Sequence, residues 1–172
     1  MYKPFLKALK TSLTVLGFSA ALVTYSYADK LDLKKEINID ASRQAADLKN
    51  KIFSYMDNVV ITQGTLVIKA DLVQVLTDNK TDEKTYLAKG EPATFTQKLD
   101  DGTPIYLQAN EIKYQPGDNI VVISGNAELR QEGSKVSGST ITYNFVTEQV
   151  SADSEENNRV KTILQPKALD NK

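Results

Sequence analysis

Two short acidic clusters contain the residues of this sequence whose types could support catalysis or metal binding. They span residues 100–102 and residues 153–156. Carboxylates about 5–10 Å apart can form the acid and base pair of a glycosidase, and closely spaced acidic oxygens can bind calcium. Both clusters lie among serine, asparagine and glycine, where solvated acids and Asx turns are ordinary. Residues 153–156 also lack the alternating ligands and central glycine of calcium loops, so we predict turns at both places.

Histidine and cysteine are both absent from the sequence. Their absence removes the commonest general base, the commonest transition-metal ligand and the thiol nucleophile. The glycines occur singly, so no phosphate-binding loop is indicated. We therefore predict a protein that is not an enzyme and that uses no metal and no cofactor. Without cysteine, its stability must come from an apolar core and not from disulfide bonds.

The first 28 residues are typical of a secretory signal peptide. Residues 1–10 carry three lysines and no acid, and an apolar stretch follows at residues 13–23. Ser26 and Ala28 supply the small residues expected just before a cleavage site. An uncleaved membrane anchor is the less favoured alternative, because a spanning helix needs about 20 apolar residues. We predict export and cleavage before Asp29.

The charge balance of the exported chain is mildly acidic. Cleavage would remove three of the 21 basic residues and none of the 22 acidic residues, which leaves a net charge of −4. Proteins that bind nucleic acids present a basic stripe, and the sequence contains none. We therefore exclude nucleic acid as a partner.

Alternation of apolar and polar residues predicts a protein built almost entirely of β-strands. Strands of about five residues separated by turns every 8–12 residues would give about sixteen strands. Residues 45–48 interrupt this pattern and are predicted to form an irregular connection. Clusters of Gly, Asn, Asp and Pro predict the turns, at residues 63–64, 77–84, 100–102, 116–119, 124–126 and 132–134.

Glutamines recur at a fixed interval of 34 residues, and an apolar residue precedes each of them by two positions. The glutamines are Gln63, Gln97, Gln131 and Gln165, and the apolar residues are Ile61, Phe95, Leu129 and Ile163. A period of this size indicates an array of stacked units that bury their apolar faces together. The unit that contains Phe95 starts with a turn-like opening at Gly90.

The alternation places one apolar face on every strand, so two facing layers are required. We predict a sandwich or a jellyroll folded lengthwise, antiparallel and open at both ends. The predicted inward-facing residues are Ile37, Ile39, Val59, Ile61, Leu66, Ile68, Val73, Val75, Phe95, Leu107, Ile112, Val121, Ile123, Leu129, Val136, Ile141 and Tyr143. Taken strand by strand, such residues form a packed core more often than a ligand site. A groove that stayed open along one side could nevertheless admit acyl chains.

The two terminal strands of such an array are unlike one another, so they can pair head-to-tail into an open filament. The predicted partner-binding edge residues are Ile37, Asn38, Ile39, Asp40 and Ala41 at one end and Val160, Lys161, Thr162, Ile163 and Leu164 at the other.

Several segments together resemble the LptA (OstA-like) family of periplasmic lipopolysaccharide transport proteins. The resemblance lies in residues 37–42, 57–71, 90–97, 121–131 and 138–143, in that order and at similar spacing. It implies a lengthwise-folded β-jellyroll that binds the acyl chains of lipid A in its interior. It also implies a periplasmic bridge of self-associated copies between an LptC-like inner-membrane protein and an LptD-like outer-membrane protein. Residues 80–87 and the C-terminal tail depart from the family pattern, so contacts there are not carried over.

The resemblance sharpens the interpretation of the interior. Ile37 matches an interior position near the family's N-terminal edge, and Phe95 matches an interior aromatic that contacts lipid. The predicted lipid-binding residues are Ile37, Ile39, Val59, Ile61, Ile68, Phe95, Leu107, Ile123, Leu129, Ile141 and Tyr143. The alternative hypothesis is an exported β-solenoid scaffold or interaction module whose core is filled and dry.

The predicted organisation of the chain has four parts. Residues 1–28 form the signal peptide and residues 29–36 a flexible leader. Residues 37–165 form the β-jellyroll that binds lipopolysaccharide, and residues 166–172 form a polar tail.

Overall fold

Ten antiparallel strands make up the part of the chain that the computed structural model describes, which is residues 35–99, 101–155 and 158–166. In chain order they are β1 (Asn38–Asp40), β2 (Arg43–Asp47), β3 (Ile52–Gln63), β4 (Leu66–Thr77), β5 (Lys84–Lys98), β6 (Pro104–Gln115), β7 (Ile120–Gln131), β8 (Ser134–Asn144), β9 (Gln149–Asp153) and β10 (Lys161–Ile163). Within these ranges, none of the secondary structure is a helix with the length and apolarity needed to cross a membrane. The predicted signal peptide lies outside the described residues, as do most of the predicted leader and tail.

The ten strands form one sheet in which β3 to β8 follow one another as a meander. Two short strands cover each outer side of this meander. β1 and β2 both pair with β3, and β9 and β10 both pair with β8. The sheet is open, because β1 and β2 have no further neighbour in the described chain, and neither do β9 and β10.

Each pair of neighbouring long strands changes register near its middle, and these irregularities divide the sheet into two halves. Half A contains residues 59–70, 93–109 and 127–138 together with β1 and β10. Half B contains residues 52–56, 72–89, 111–124 and 140–144 together with β2 and β9. In β4 the buried residues are even-numbered in half A (Leu66, Ile68) and odd-numbered in half B (Val73, Val75). An irregularity that shifts the alternation by one residue keeps the apolar side of both halves toward one interior.

The irregularities of the odd-numbered strands recur with the 34-residue period of the glutamines. They start at Asp57, Glu91 and Gly125. Asp57 and Gly125 adopt positive φ angles of 66° and 75°, and the peptide bond from Glu91 to Pro92 is cis. At Gly125 a side chain would be strained by its φ and would also meet Asn110 at 3.1 Å. The repeated unit therefore encodes the bend of the sheet as well as its apolar face.

Aromatic side chains from the two halves meet inside the folded sheet. Phe95 of half A stacks on Phe145, which follows β8 in half B, with ring centroids 6.2 Å apart and planes inclined by 8°. Tyr114 of half B packs edge-on against Phe95 at 6.2 Å. These contacts show that half A and half B face each other as two layers of one jellyroll. The predicted all-β, lengthwise-folded antiparallel jellyroll is therefore confirmed.

The structure corrects four details of the sequence analysis. There are ten strands and not about sixteen, because the meander strands run for 11 to 15 residues through their irregularities. Two predicted turns, at Gly90 and at residues 124–126, are irregularities inside β5 and β7. Residues 45–48 are not irregular, because most of them form β2. The two facing layers are halves of one continuous sheet.

Other predicted turns are confirmed. The polar segment 77–84 connects β4 to β5, and the carboxylate of Asp78 accepts hydrogen bonds from the backbone N–H groups of Lys80 and Thr81 at 2.7 and 2.9 Å. This Asx-type turn lowers the pKa of Asp78, because the ionised carboxylate is the better acceptor.

Candidate functional site

The space between half A and half B contains most of the residues that the sequence analysis assigned to lipid binding. Nine of them belong to one buried cluster, and the remaining two are half-buried and pack against it. The nine are Val59, Ile61, Ile68, Phe95, Leu107, Ile123, Leu129, Ile141 and Tyr143, and the two are Ile37 and Ile39. The structure thus brings all eleven residues to one interior.

Local sequence explains why each strand contributes to this interior. In β5, Ala93, Phe95 and Gln97 are buried, whereas Thr94 and Thr96 between them are more exposed. Successive side chains of a strand point to opposite faces, so this alternation fixes which face is inside. Phe95 pairs with Leu107 of β6, and Leu107 pairs with Leu129 of β7. The apolar residues therefore form lateral rows that run along the length of the jellyroll.

Three aromatic residues of the interior were missing from the predicted list. Tyr86, Tyr114 and Phe145 are buried and form a continuous cluster with Phe95 and Tyr143. The alternation of Ile112 and Tyr114 was a usable signal for Tyr114. Phe145 lies beyond the end of β8, so strand alternation gave no reason to place it inside.

One hydrogen bond connects the two halves within the buried interior. The hydroxyl of Tyr114 in half B donates to the side-chain oxygen of Gln63 in half A at 2.7 Å. The amide nitrogen of Gln63 in turn donates to the backbone oxygen of Lys35 at 3.1 Å. Burial, together with the neighbouring Tyr86, raises the pKa of Tyr114 above its usual range. Tyr114 is therefore a neutral donor at every physiological pH.

A cavity of about 600 Å³ opens between the halves at the end of the jellyroll that carries β1. Its half A side comes from the start of β1 and from Gln63. Its half B side comes from the loop before β5, from the start of β5 and from the turn after β6. The lining residues include Ile37, Asn38, Gln63, Lys84, Tyr86 and Pro116. The interior thus has an opening beside the Tyr114–Gln63 hydrogen bond.

A second cavity of about 570 Å³ lies at the opposite edge, where the covering strand of β8 changes from β9 to β10. It is lined by polar groups such as Ser137, Thr140 and Arg159. Glu128 also borders it and forms ion pairs with Arg130 and Lys135. Burial would raise the pKa of Glu128, but the hydrogen bonds from Lys135 and Arg130 outweigh it and lower that pKa.

The two predicted edge segments lie at opposite edges of the sheet. β1 pairs with Val60 to Thr62 of β3, and β10 pairs with Lys135 to Ser137 of β8. Near β10 the apolar residues Val160, Ile163 and Leu164 are exposed, with 74% of Leu164 accessible. Ile37 and Ile39 of the other edge are only half-buried. Each edge therefore combines an open strand with apolar side chains that lack full cover.

The acidic clusters contribute no site in the described part of the chain. Asp101 accepts a hydrogen bond from the backbone N–H of Thr103 at 2.8 Å, which lowers the pKa of its carboxyl group. Asp153 ends β9. Asp100 and Glu156 lie outside the described residues. Among the described acids, no group of three or more converges in a way that could hold a metal ion.

Comparison with protein families and known proteins gives consistent results. Residues 38–149 match the family model described as LptA/(LptD N-terminal domain) LPS transport protein. The lipopolysaccharide export system protein LptA of Haemophilus influenzae is 35% identical over 166 residues, which cover 95% of this chain and 96% of that protein. The protein of the same name from Escherichia coli (strain K12) is 33% identical over 169 residues, which cover 96% of this chain and 91% of that protein.

The structure itself is similar to a crystal structure of LptH, the LptA-homologous periplasmic component of the lipopolysaccharide transport device from Pseudomonas aeruginosa. The TM-score is 0.72 and the sequence identity 26%, and the match covers 79% of this chain and 99% of that chain.

Proposed function

Because the chain belongs to the LptA/LptD N-terminal domain family of lipopolysaccharide transport proteins, we propose that it carries lipopolysaccharide by holding the acyl chains of lipid A between half A and half B. The sugars and phosphates would remain in water along the open side of the fold. In this role the protein binds and passes on its cargo without chemical reaction.

One observation supports this proposal more than any other, namely the continuous apolar interior between two halves of a single folded sheet. Phe95, Phe145 and Tyr114 meet there across the fold. Burying acyl chains against such a surface is favourable by about 25 cal/mol per Å². Because the rows of apolar residues repeat every 34 residues, they provide a series of similar positions along which chains can move.

Binding requires the two halves to separate. Phe95 is fully buried in the structure, so an acyl chain can reach it only after the contacts between the halves open. The Phe95–Phe145 stack and the Tyr114–Gln63 hydrogen bond are the contacts to be replaced. A net loss of about 1 kcal/mol for the hydrogen bond is small beside the gain from burying several acyl chains. The cavity next to Gln63 is the natural place for opening to begin.

The proposal extends to the partners and the location. Self-association through β1 and β10, residues 37–41 and 160–164, would join copies head-to-tail, because the two edges are unlike. The ends of such a filament would meet an LptC-like inner-membrane protein and an LptD-like outer-membrane protein. Export to the periplasm would follow from residues 1–28 acting as a cleaved signal peptide. The mass of the protein recovered from the periplasm tests this point, with an N-terminus at Asp29 as the expected result.

Site-specific photocrosslinking tests lipid binding directly. A photoreactive amino acid at Phe95 is expected to form an adduct with lipopolysaccharide in cells. The same amino acid at Thr96, the next residue on the outward face of β5, is the matched control and should give no adduct. Adduct at neither position, with normal protein levels, would contradict the carrier function.

The alternative function, an exported scaffold with a filled and dry core, has one observation in its favour. The interior residues are already packed against one another, with Phe95, Leu107 and Ile123 fully buried. For a scaffold, the protein would complete its role without the halves ever opening. A disulfide across the halves, between cysteines that replace Gln63 and Tyr114, should abolish lipopolysaccharide transport in a carrier and leave a scaffold functional.

A further inference from the structure

The glutamine repeat acquires a specific position in the structure. Gln63, Gln97 and Gln131 occupy the last or next-to-last position of β3, β5 and β7, beside the hairpin turns of half A. Ile105 pairs with both Gln97 and Gln131, and Leu66 pairs with Gln63. The pairing of Val67 with Thr96 places Leu66 beside Gln97 as well. Glutamines and apolar residues therefore alternate in one row along the rim of half A.

This row belongs to the interior face. Gln63 and Gln97 are among the few polar residues that are buried in the described chain, with 3% and 9% of their surfaces accessible. In β5, Gln97 continues the inward alternation of Ala93 and Phe95. The row thus lies where the apolar interior ends and the turns of the rim begin.

The three glutamines differ in how their amides are used. Gln63 binds the hydroxyl of Tyr114 and the backbone oxygen of Lys35, and Gln131 is partly exposed. The side-chain oxygen of Gln97 is buried and has no hydrogen-bond partner among the described residues. A buried acceptor without a partner costs about 1–3 kcal/mol. A cost of this size at a repeated position is expected where a ligand supplies the missing donor.

We propose that the side-chain oxygen of Gln97 accepts a hydrogen bond from the root of a bound acyl chain, at an amide N–H or a hydroxyl group. This inference rests on the proposed function. An acyl chain that packs on Phe95 has its methylene groups in the interior and its polar root at the rim, where Gln97 lies two residues farther along β5. Gln97 would then recognise the linkage of the chain, whereas the apolar rows recognise only its length and bulk.

Two synthetic probes and one substitution test this inference. The first probe is an acylated glucosamine phosphate with an amide-linked β-hydroxyacyl chain. The second is its analogue with an N-methylated amide and no hydroxyl group, so that it offers no donor at the root of the chain. We expect the wild-type mature protein to bind the first probe about tenfold more tightly than the second, as one hydrogen bond implies.

The Gln97→Leu variant should bind the two probes within twofold of each other, and its thermal midpoint should equal or exceed that of the wild type. A structural role alone would not change the ratio between the probes. The matched control is Gln74→Leu, because Gln74 lies on the outward face of β4, and this variant should keep the tenfold preference.

The possible outcomes separate this inference from the proposed function. If the wild type binds both probes equally, or if Gln97→Leu keeps the tenfold preference, the role of Gln97 is wrong while lipid binding stands. A lowered thermal midpoint in Gln97→Leu would contradict the unsatisfied acceptor on which the inference depends. If the wild type binds neither probe, the proposed lipid-binding function itself fails, and the role of Gln97 fails with it.

Discussion

Tyr114 and Gln63 lie 51 residues apart in the sequence and on opposite halves of the folded sheet, yet the Tyr114 hydroxyl donates a 2.7 Å hydrogen bond to the Gln63 side chain. The bond lies beside the cavity that opens between the halves. It is therefore positioned to hold the jellyroll closed at the end where β1 lies.

Replacing Tyr114 with phenylalanine should weaken this closure. The substitution keeps the ring contacts with Phe95 and Phe145 and removes only the hydroxyl group, so we expect the free energy of unfolding to fall by about 1–2 kcal/mol. We also expect faster association with lipopolysaccharide, because the halves separate more readily. Urea denaturation and stopped-flow fluorescence measure the two effects. Tyr106→Phe is the control, since the Tyr106 hydroxyl bonds to Gln108 on the same strand, and association at an unchanged rate in Tyr114→Phe would contradict the closing role.

Alkaline pH should destabilise the protein through the same residue. Burial raises the pKa of Tyr114 in the folded state, whereas an unfolded tyrosine titrates near pH 10 (roughly). The contribution of Tyr114 is therefore fully present below about pH 10 and is lost as the pH rises toward the folded pKa. Thermal unfolding measured between pH 8 and pH 11 should show a steeper decline for the wild type than for Tyr114→Phe. Parallel curves would show that Tyr114 does not titrate differently in the two states.

Substitution at the bend of β7 should cost stability for a backbone reason. Gly125 has a φ of +75°, and an added side-chain carbon would meet Asn110 at 3.1 Å. Left-handed conformations cost an L-residue about 1–2 kcal/mol, so Gly125→Ala should lower the free energy of unfolding by at least about that amount. Gly117→Ala is the control, because an added carbon there would meet only the flexible end of Glu83. Equal stability of the two variants would argue against a strained bend.

Charged substitutions at the β10 edge should prevent self-association without unfolding the protein. Ile163 and Leu164 are 43% and 74% exposed, so the double change Ile163→Lys and Leu164→Lys removes little core packing. Sedimentation over a range of concentrations is expected to show larger species for the wild type and a monomer for the variant. Val150→Lys on β9, where the side chain is 44% exposed, is the matched control and should still associate. Association that survives the double change would exclude this edge as the interface.

The sequence analysis could predict the interior because alternation is a local signal. Phe95 and Leu107 follow from the apolar face of their own strands, and both are fully buried. The irregularity at residues 124–126 could not be separated from a turn, because Gly-Asn combinations serve both structures and only the pairing partner distinguishes them. Pairing of Ser124 with Thr140 and of Ala127 with Gly138 shows that the strand continues.

Contacts between the halves were beyond the reach of sequence patterns. The stack of Phe95 on Phe145 joins residues 50 positions apart that share no strand pairing. Its geometry depends on how far the irregularities bend the whole sheet. The role of Gln97 was hidden for a similar reason: the repeat identified the position, but the missing partner of its buried oxygen is visible only in three dimensions.

The coincidence of the bends with the 34-residue period separates the length of this protein from its cross-section. Each unit of two long strands carries its own apolar row and its own fold line, at Asp57, Glu91 and Gly125. Duplicating or deleting one unit would therefore lengthen or shorten the chamber while its profile stayed constant, much as a tube is cut to measure. Capacity in such a protein can evolve, or be engineered, by changing the number of units.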